Sequence, residues 1–374
     1  VPVFEFPAWD CLPYDRISPN ADVAAKRMAT LAALADGFDR TAVILTTVNA
    51  ATQRVPARAT MRDASFTAIA GRRLDEDRLR RWLTRMGFSQ TPMVTEPGDY
   101  SIRGGLIDIY PPGPAGPVRL DLFGDELDRA RRFDAQTQRT TEEVSRVELA
   151  PVSEVILDEQ SIERFRKSYR EAFGQPGPED ALYESVSAGR KHQGYEHWAP
   201  FFHDGMETLF DYLPDAPVTM DDQSDAARDA RWDTVLDHYQ ARADVLKEKG
   251  RRDGAYKPVP PAQLYLDDAA WETAIGARAV RKFSPNPTPS GPGVIDAGGR
   301  VGRNFAPERQ AEDLSLFGAL ANHVEARRKA GAVLLASYSQ GSRERMSALM
   351  SDSGTQGAQE IARYSEMGGK GALA

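Results

Sequence analysis

A chain of 374 residues with 41% apolar and 27% charged residues is an ordinary globular composition, long enough for roughly two to three domains. No run approaches the ~20 apolar residues of a membrane-spanning helix, and the single cysteine, Cys11, excludes an internal disulfide framework and a Cys-based zinc site and fits a reducing cytosol. The net charge of −8 and pI near 5.4 do not favour strong non-specific DNA binding, which needs a basic balance to neutralise phosphates.

Residues 1–57 read as α/β. Pro19-Asn20 precedes a helical pattern with Val23, Arg27, Met28, Leu31 and Leu34 on one face, and Gly37 can end it. Ala42–Val48 is apolar and β-branched without alternation, which predicts a buried strand of a parallel sheet. The opening, VPVFEFPAW, has no initiator Met and begins inside a strand pattern, so a fragment of a longer protein is expected.

From about residue 60 to 150 the pattern changes to a small α+β domain with an antiparallel sheet. Its helix has Asp75 as N-cap, Leu79, Trp82, Leu83 and Met86 on one face, and Gly87 as terminator. Strands are predicted at 99–110, 118–123 and about 127–134, separated by a proline loop, 111–117, that can be neither helix nor central strand. Between about 151 and 290, helical patterns (160–173, 225–249) mix with short strands, and aromatics crowd Tyr195–Tyr212. Residues 284–293, SPNPTPSGPG, form the best linker. Beyond it come a helix at about 311–330, a strand at 332–336, a loop and a helix at 342–350 with Ser342 as its cap, a compact α/β domain.

The segment Ser101–Glu126 carries the most information. In Val118–Phe123 the alternation puts Val118, Leu120 and Leu122 on a core face and Arg119, Asp121 and Phe123 on the other. An outward Phe beside an Arg is the composition of a protein-binding hot spot. The competing reading has Phe123 covered by a neighbouring loop.

These same residues carry a resemblance. Arg103-Gly104-Gly105-Leu106-Ile107-Asp108-Ile109-Tyr110-Pro111, followed by Arg119-Leu120-Asp121-Leu122-Phe123-Gly124-Asp125-Glu126-Leu127, resembles the signature of domain 2 in UvrB-like modules. Upstream, the run from Phe6 to Pro19, FPAWDCLPYDRISP, resembles the version of that module at the amino end of Mfd-type transcription-repair coupling factors. Weaker likeness runs through Gly194–Pro200 and Leu209–Pro214 and thins after about Gly291.

The resemblance implies an α/β fold: a RecA-like, catalytically degenerate module with an inserted α+β domain 2 and a further carboxyl-terminal α/β domain. It divides the chain into a RecA-like part (1–57), a UvrA-docking domain 2 (58–151), the remainder of domain 1 (152–290), and a linker with domain 3 (291–374). It implies a bacterial cytoplasmic protein of transcription-coupled nucleotide-excision repair. UvrA would be bound through Arg103, Arg119 and Phe123, and the module would pack against a carboxyl-terminal domain in a repressed state. RNA polymerase, double-stranded DNA, ATP and Mg would be engaged by downstream domains, with no cofactor here. A UvrB-like helicase-type subunit of the excision nuclease is the alternative, and a bare DNA-binding module a third. In UvrB a long aromatic-tipped hairpin parts the strands. Here the corresponding region between Trp9 and Ala24 is short, with Trp9 and Tyr14 its only aromatics.

Chemical motifs are otherwise sparse. No GxxxxGK[ST] loop is present, and Gly368-Gly369-Lys370-Gly371 lacks its spacing. Ser339–Ser342 could meet a phosphate at a helix start, but a plain capped turn is the simpler reading, and Gly298–Gly302 is weaker still. His192, Glu196, His197 and His203 lack zincin spacing, and the simpler reading puts His197, with Trp198, in the core around Tyr195 and Phe201 rather than on a metal. No nucleophile–base–acid triad can be proposed.

Overall fold

The computed structural model describes residues 1–37, 41–113, 115–249, 255–276, 278–286, 288–299, 301–310 and 313–374, with side chains for all of these except 248–249. Pro114 of the proline loop, Pro287 of the linker, Arg300 of the glycine stretch and the expected helix start at 311–312 lie outside the described residues. The architecture is mixed α/β, in two compact units, Val1–Pro287 and Thr288–Ala374. Among the described residues no helix is long and apolar enough to cross a membrane.

The first unit opens with β1 (Val3–Phe6), α1 (Ala21–Asp36) and β2 (Val43–Thr46). Asn20 caps α1 by accepting the Asp22 N–H, and Gly37 ends it at φ +81°. The face bearing Met28, Leu31 and Leu34 packs with Phe6. β1 and β2 pair in parallel, as the β-branched run suggested. The expectation of a buried strand is corrected, however. Val3, Val43 and Leu45 are exposed, because among the described residues only the α1 side of this two-stranded sheet is covered. An unbroken apolar run says that both faces suit burial, and cannot say whether a second layer is there to bury them.

The middle of the unit is a sheet with a helix against its inner face. Its elements are β3 (Phe66–Ile69), β4 (Arg72–Arg73), α2 (Glu76–Arg85), β5 (Ser89–Gln90), β6 (Asp99–Arg103), β7 (Leu106–Ile109), β8 (Val118–Phe123), β9 (Glu126–Phe133), β10 (Thr140–Val144) and β11 (Arg146–Leu149). The strand order is β10-β9-β8-β7-β6-β5, with β4 also on β9, and β3 pairs separately with β11. Every pair is antiparallel except β5 with β6. α2 starts at its Asp75 cap and buries Leu79, Trp82 and Leu83 against Ile107, Ile109, Val118, Leu120 and Leu127. The expected strand 99–110 is in fact two strands. It folds back at Gly104-Gly105, where Gly104 takes φ +60° and a Cβ on Gly105 would lie 2.6 Å from the Leu122 carbonyl oxygen.

The rest of the unit is helical and aromatic. α3 (Glu159–Phe173) carries a capping box between Asp158 and Ser161, and α4 (Ala181–Ser187) follows. A 3₁₀ segment, Tyr195–Phe201, sets Tyr195, Trp198 and Phe201 into a core with Trp9, Tyr14, Phe165 and Tyr169. α5 (Ser224–Lys249) adds Val235 to it. Trp9 and Tyr14, the only aromatics of the region that would form a strand-parting hairpin, are thus core residues.

One polar network runs through these parts. Arg27 on α1 is 0% exposed. Its Nε lies 2.5 Å from Glu154 Oε1 and its Nη2 3.0 Å from Oε2, while Nη1 donates to the Pro7 carbonyl at 2.9 Å. Trp9 Nε1 also donates to Glu154 Oε1 at 2.9 Å, and His203 Nε2 donates to the Glu154 carbonyl at 2.8 Å. The guanidinium sits 4.2 Å from the Phe6 ring centroid. Glu154 follows shortly after β11, so the network fastens the exit of the sheet region to β1 and α1.

In the second unit α6 (Leu316–Arg328) and α7 (Gln340–Asp352) enclose a small core of Ala321, Val324, Met350 and Leu373. The expected strand 332–336 is reduced to a single parallel bridge, Val333 to Leu373. The α7 cap is Ser339 rather than Ser342: Ser339 Oγ accepts the Ser342 N–H, which is the capping geometry.

Replacing Arg27 by Met should cost about 3–5 kcal/mol, because the Glu154 carboxylate stays buried without its main partner. The double variant Arg27→Met, Glu154→Leu should recover most of that loss. Urea unfolding of the three proteins measures it. A single-variant loss under about 1 kcal/mol would show that the pair holds nothing together.

Candidate functional site

The outer face of the sheet, opposite α2, is where the alternation of β8 becomes a surface. Register sets the neighbours: Asp108 on β7 stands opposite Ser101 and Arg119, Leu106 opposite Arg103 and Asp121, and Phe123 opposite Glu126. Phe123 is 84% exposed, beside the turn Gly124-Asp125, and no loop among the described residues covers it. Leu106 is partly exposed. The Gly105 carbonyl accepts the Leu122 N–H at 2.7 Å, which ties the Gly104-Gly105 turn to the strand end that carries Phe123.

Arg119 faces the outer side of the sheet, as parity requires, but it is more enclosed than an arginine on an open face. Its side chain is only 18% exposed. Nε and Nη2 grip the two oxygens of Asp108 at 2.7 and 2.9 Å, and the guanidinium lies 4.9 Å from the Phe133 centroid. The hydrogen bonds to Asp108 raise its pKa above the ordinary arginine value. A guanidinium on the outer face of a sheet is drawn to any carboxylate directly across the ladder, and Asp108 is that carboxylate. Arg103, more exposed, adds a third bond to Asp108 through Nη2 at 2.9 Å. A second pair, Arg131 with Asp121, lies alongside. The three expected residues therefore share one face, but as two arginines fixed on a buried carboxylate and one bare phenylalanine. Asp108 and Arg131 were missed, although strand parity across β7, β8 and β9 could have found both.

This face is a fixed polar lattice with an apolar tip, suited to binding a folded partner whose surface presents carboxylates and an apolar recess.

The histidine cluster lies apart from this face. Among the described residues no three His, Cys, Asp or Glu side chains converge as metal ligands. Cys11 Sγ lies 3.8 Å from His197 Nε2, but burial pushes the thiol up to about 12 and the imidazole down to about 4, so both are neutral at pH 7. His203 is likewise lowered by burial. Glu196 is the unusual member. Burial raises its carboxyl to about 7, against a hydrogen bond from Ser18 Oγ at 2.7 Å that favours ionisation.

Residues 67–154 match the family model of the UvrB interaction domain. The chain is similar to the transcription-repair-coupling factor of Haemophilus influenzae, 35% identical over 246 residues, covering 65% of this chain and 21% of the relative. For the Escherichia coli protein the figures are 34% over 259 residues, 69% and 22%. For that of Myxococcus xanthus they are 34% over 272 residues, 65% and 23%. The chain spans about a fifth of the length of these curated relatives. Residues 67–154 thus match the UvrB interaction domain, inside a longer stretch that is similar to part of the transcription-repair-coupling factors.

Two measurements follow from the site. In urea unfolding, Leu120→Ala should lose about 2–5 kcal/mol by opening a cavity, Arg119→Ala roughly 1–3 by stripping hydrogen bonds from buried Asp108, and Phe123→Ala under about 0.5. A large loss for Phe123→Ala would make it a core residue. For Glu196, the folded carboxyl holds its proton to higher pH than the unfolded one. Stability is therefore lost as pH rises from about 4.5 through about 7. Glu196→Gln should melt higher than the parent at pH 8 and close to it at pH 4.5. An advantage that is the same at both pH values would refute the raised pKa.

Proposed function

We propose that this chain recruits the repair protein UvrA, through the outer face of the β6–β9 sheet, in transcription-coupled nucleotide-excision repair. The observation that carries the reading is Phe123, 84% exposed at the end of β8 within the matched interaction domain, with Arg103 and Arg119 held beside it. An aromatic in bare solvent next to fixed arginines is poor design for an isolated surface and good design for an interface. Phe123 supplies apolar area. Arg103, the more accessible arginine, can pair with a partner carboxylate, and Arg119 acts mainly by holding Asp108 and the lattice in shape.

In the same reading α1, β1 and β2 belong to a RecA-like layer (1–57, with 152–290 as its remainder) that performs no nucleotide chemistry. The docking domain spans 58–151, and 291–374 is a further domain. The module restrains the longer protein by packing on its carboxyl-terminal part. Double-stranded DNA, RNA polymerase, ATP and Mg belong to other parts of that protein, in the bacterial cytoplasm. The UvrB-like helicase alternative is less favoured, since Trp9 and Tyr14 are committed to the core rather than to a strand-parting tip.

Titration calorimetry against purified UvrA tests the proposal. Phe123→Ala should weaken binding by about 1–4 kcal/mol with an unchanged melting temperature, and Arg103→Ala by a smaller amount in the same range. Binding of Phe123→Ala equal to that of the parent would place the docking surface elsewhere.

A further inference from the structure

The helix on the other side of the sheet has its own unassigned surface. A groove of about 1130 Å³ runs between α2 and the start of α3, inside the first unit. Arg78, Arg81 and Arg85 line it at positions i, i+3 and i+7, which places them in one stripe along α2. All three are exposed, and among the described residues no carboxylate lies in ion-pair range of any of them. Arg80, off this stripe, is by contrast paired to Glu76 at 2.9 Å. The stripe runs against the chain's net charge of −8, and Arg78 also stands 5.7 Å from the Phe66 ring centroid. Beneath them the groove is lined by Phe66, Leu157 and Ile162, each partly exposed.

The wall across from the arginines carries Asp158 and Glu159 at the start of α3, together with Lys191, whose ammonium donates to the Gly87 carbonyl at 2.6 Å, and Asp63 also lines the groove. A phosphate backbone laid along the arginines would run against these carboxylates, whereas a protein segment can present one charged edge to each wall. The ten residues of α2 span about 15 Å, enough to match some two to three turns of a docked helix. α2 packs on the inner face of the sheet, so the sheet separates this groove from Phe123.

We propose that this groove docks an amphipathic helix of a partner protein with an acidic edge, whose carboxylates at i, i+3 or i+4, and i+7 meet Arg78, Arg81 and Arg85, with an apolar residue over Phe66, Leu157 and Ile162 and no carboxylate on the edge that faces Asp158 and Glu159. Such a partner would be bound independently of whatever engages the outer face. The site goes beyond the UvrA reading and does not rest on it.

The test selects peptides from a random phage-displayed library on the purified 374-residue chain and counter-selects on the Arg81→Glu, Arg85→Glu variant. Recovered peptides, and single-stranded and duplex 20-nucleotide DNA as comparison, are titrated by fluorescence anisotropy. The expected result is peptides rich in Asp and Glu at helical spacing around an apolar residue. Charge reversal should weaken them on the order of tenfold or more, added salt should weaken them too, and Phe123→Ala should leave them unchanged. The milder Arg81→Ala, Arg85→Ala variant, whose melting temperature should equal the parent's, gives the same reading if charge reversal unfolds the chain. Peptides without acidic bias, acidic peptides that bind both arginine variants like the parent, or arginine-dependent binding of DNA in place of peptide would each overturn the proposal.

Discussion

The Glu154 carboxylate is the constraint on which the first unit depends. It is taken out of water together with Arg27, and that desolvation is offset only because two guanidinium bonds and the Trp9 indole satisfy the oxygens at once. Its position in the chain gives this local pair a larger consequence. The polypeptide leaves the β1–α1 layer, builds the whole β3–β11 region and returns at Glu154, whose backbone carbonyl is held by His203 of the aromatic core. One residue thus joins the two ends of the inserted sheet region to the rest of the unit. A hydrophobic contact at this place would be as stable but would tolerate sliding, whereas a bidentate ion pair has one register.

The outer face repeats this logic with a different result. Asp108 is 2% exposed and takes three bonds from two arginines that a linear reading counts as free surface charges. Those arginines lose rotamer freedom when the sheet folds, not when a partner arrives. A docking surface whose long side chains are already fixed has less entropy to lose on binding. Phe123 needs no such support, since two torsions and a strand backbone already limit it. The face therefore combines a rigid polar lattice with one apolar tip, on strands rather than loops.

Net charge is a poor guide to local charge here. The chain is acidic as a whole, yet its sheet region carries arginines in every outer strand from β6 to β9 except β7, and a further stripe along α2. On the outer face Arg103, Arg119 and Arg131 are neutralised by Asp108 and Asp121 of neighbouring strands, while among the described residues no carboxylate lies in ion-pair range of Arg78, Arg81 or Arg85 on α2.

Much of the fold was legible because it is written locally. The caps of α1 and α2 depend on Asn20, Asp75, Gly37 and Gly87 and their immediate neighbours, and the inward side of β8 follows from a two-residue period that no partner can change. The exposure of Phe123 was half legible: parity chose its face, and only the tertiary structure decided that no loop lies over it. The strand break at Gly104-Gly105 could have been read from the paired glycines. What the sequence alone could not determine was the destination of each long polar side chain. Arg27 sits in an apolar helical stripe and looks like one of its members, and Glu154 looks like a solvated acid after a strand. Their meeting across 127 residues, like that of Arg119 with Asp108, is set by which strands and helices come to lie side by side. Periodicity states which way a residue points. Only the assembled structure states what it meets there, because the energy of a buried charge belongs to the pair and to neither residue alone.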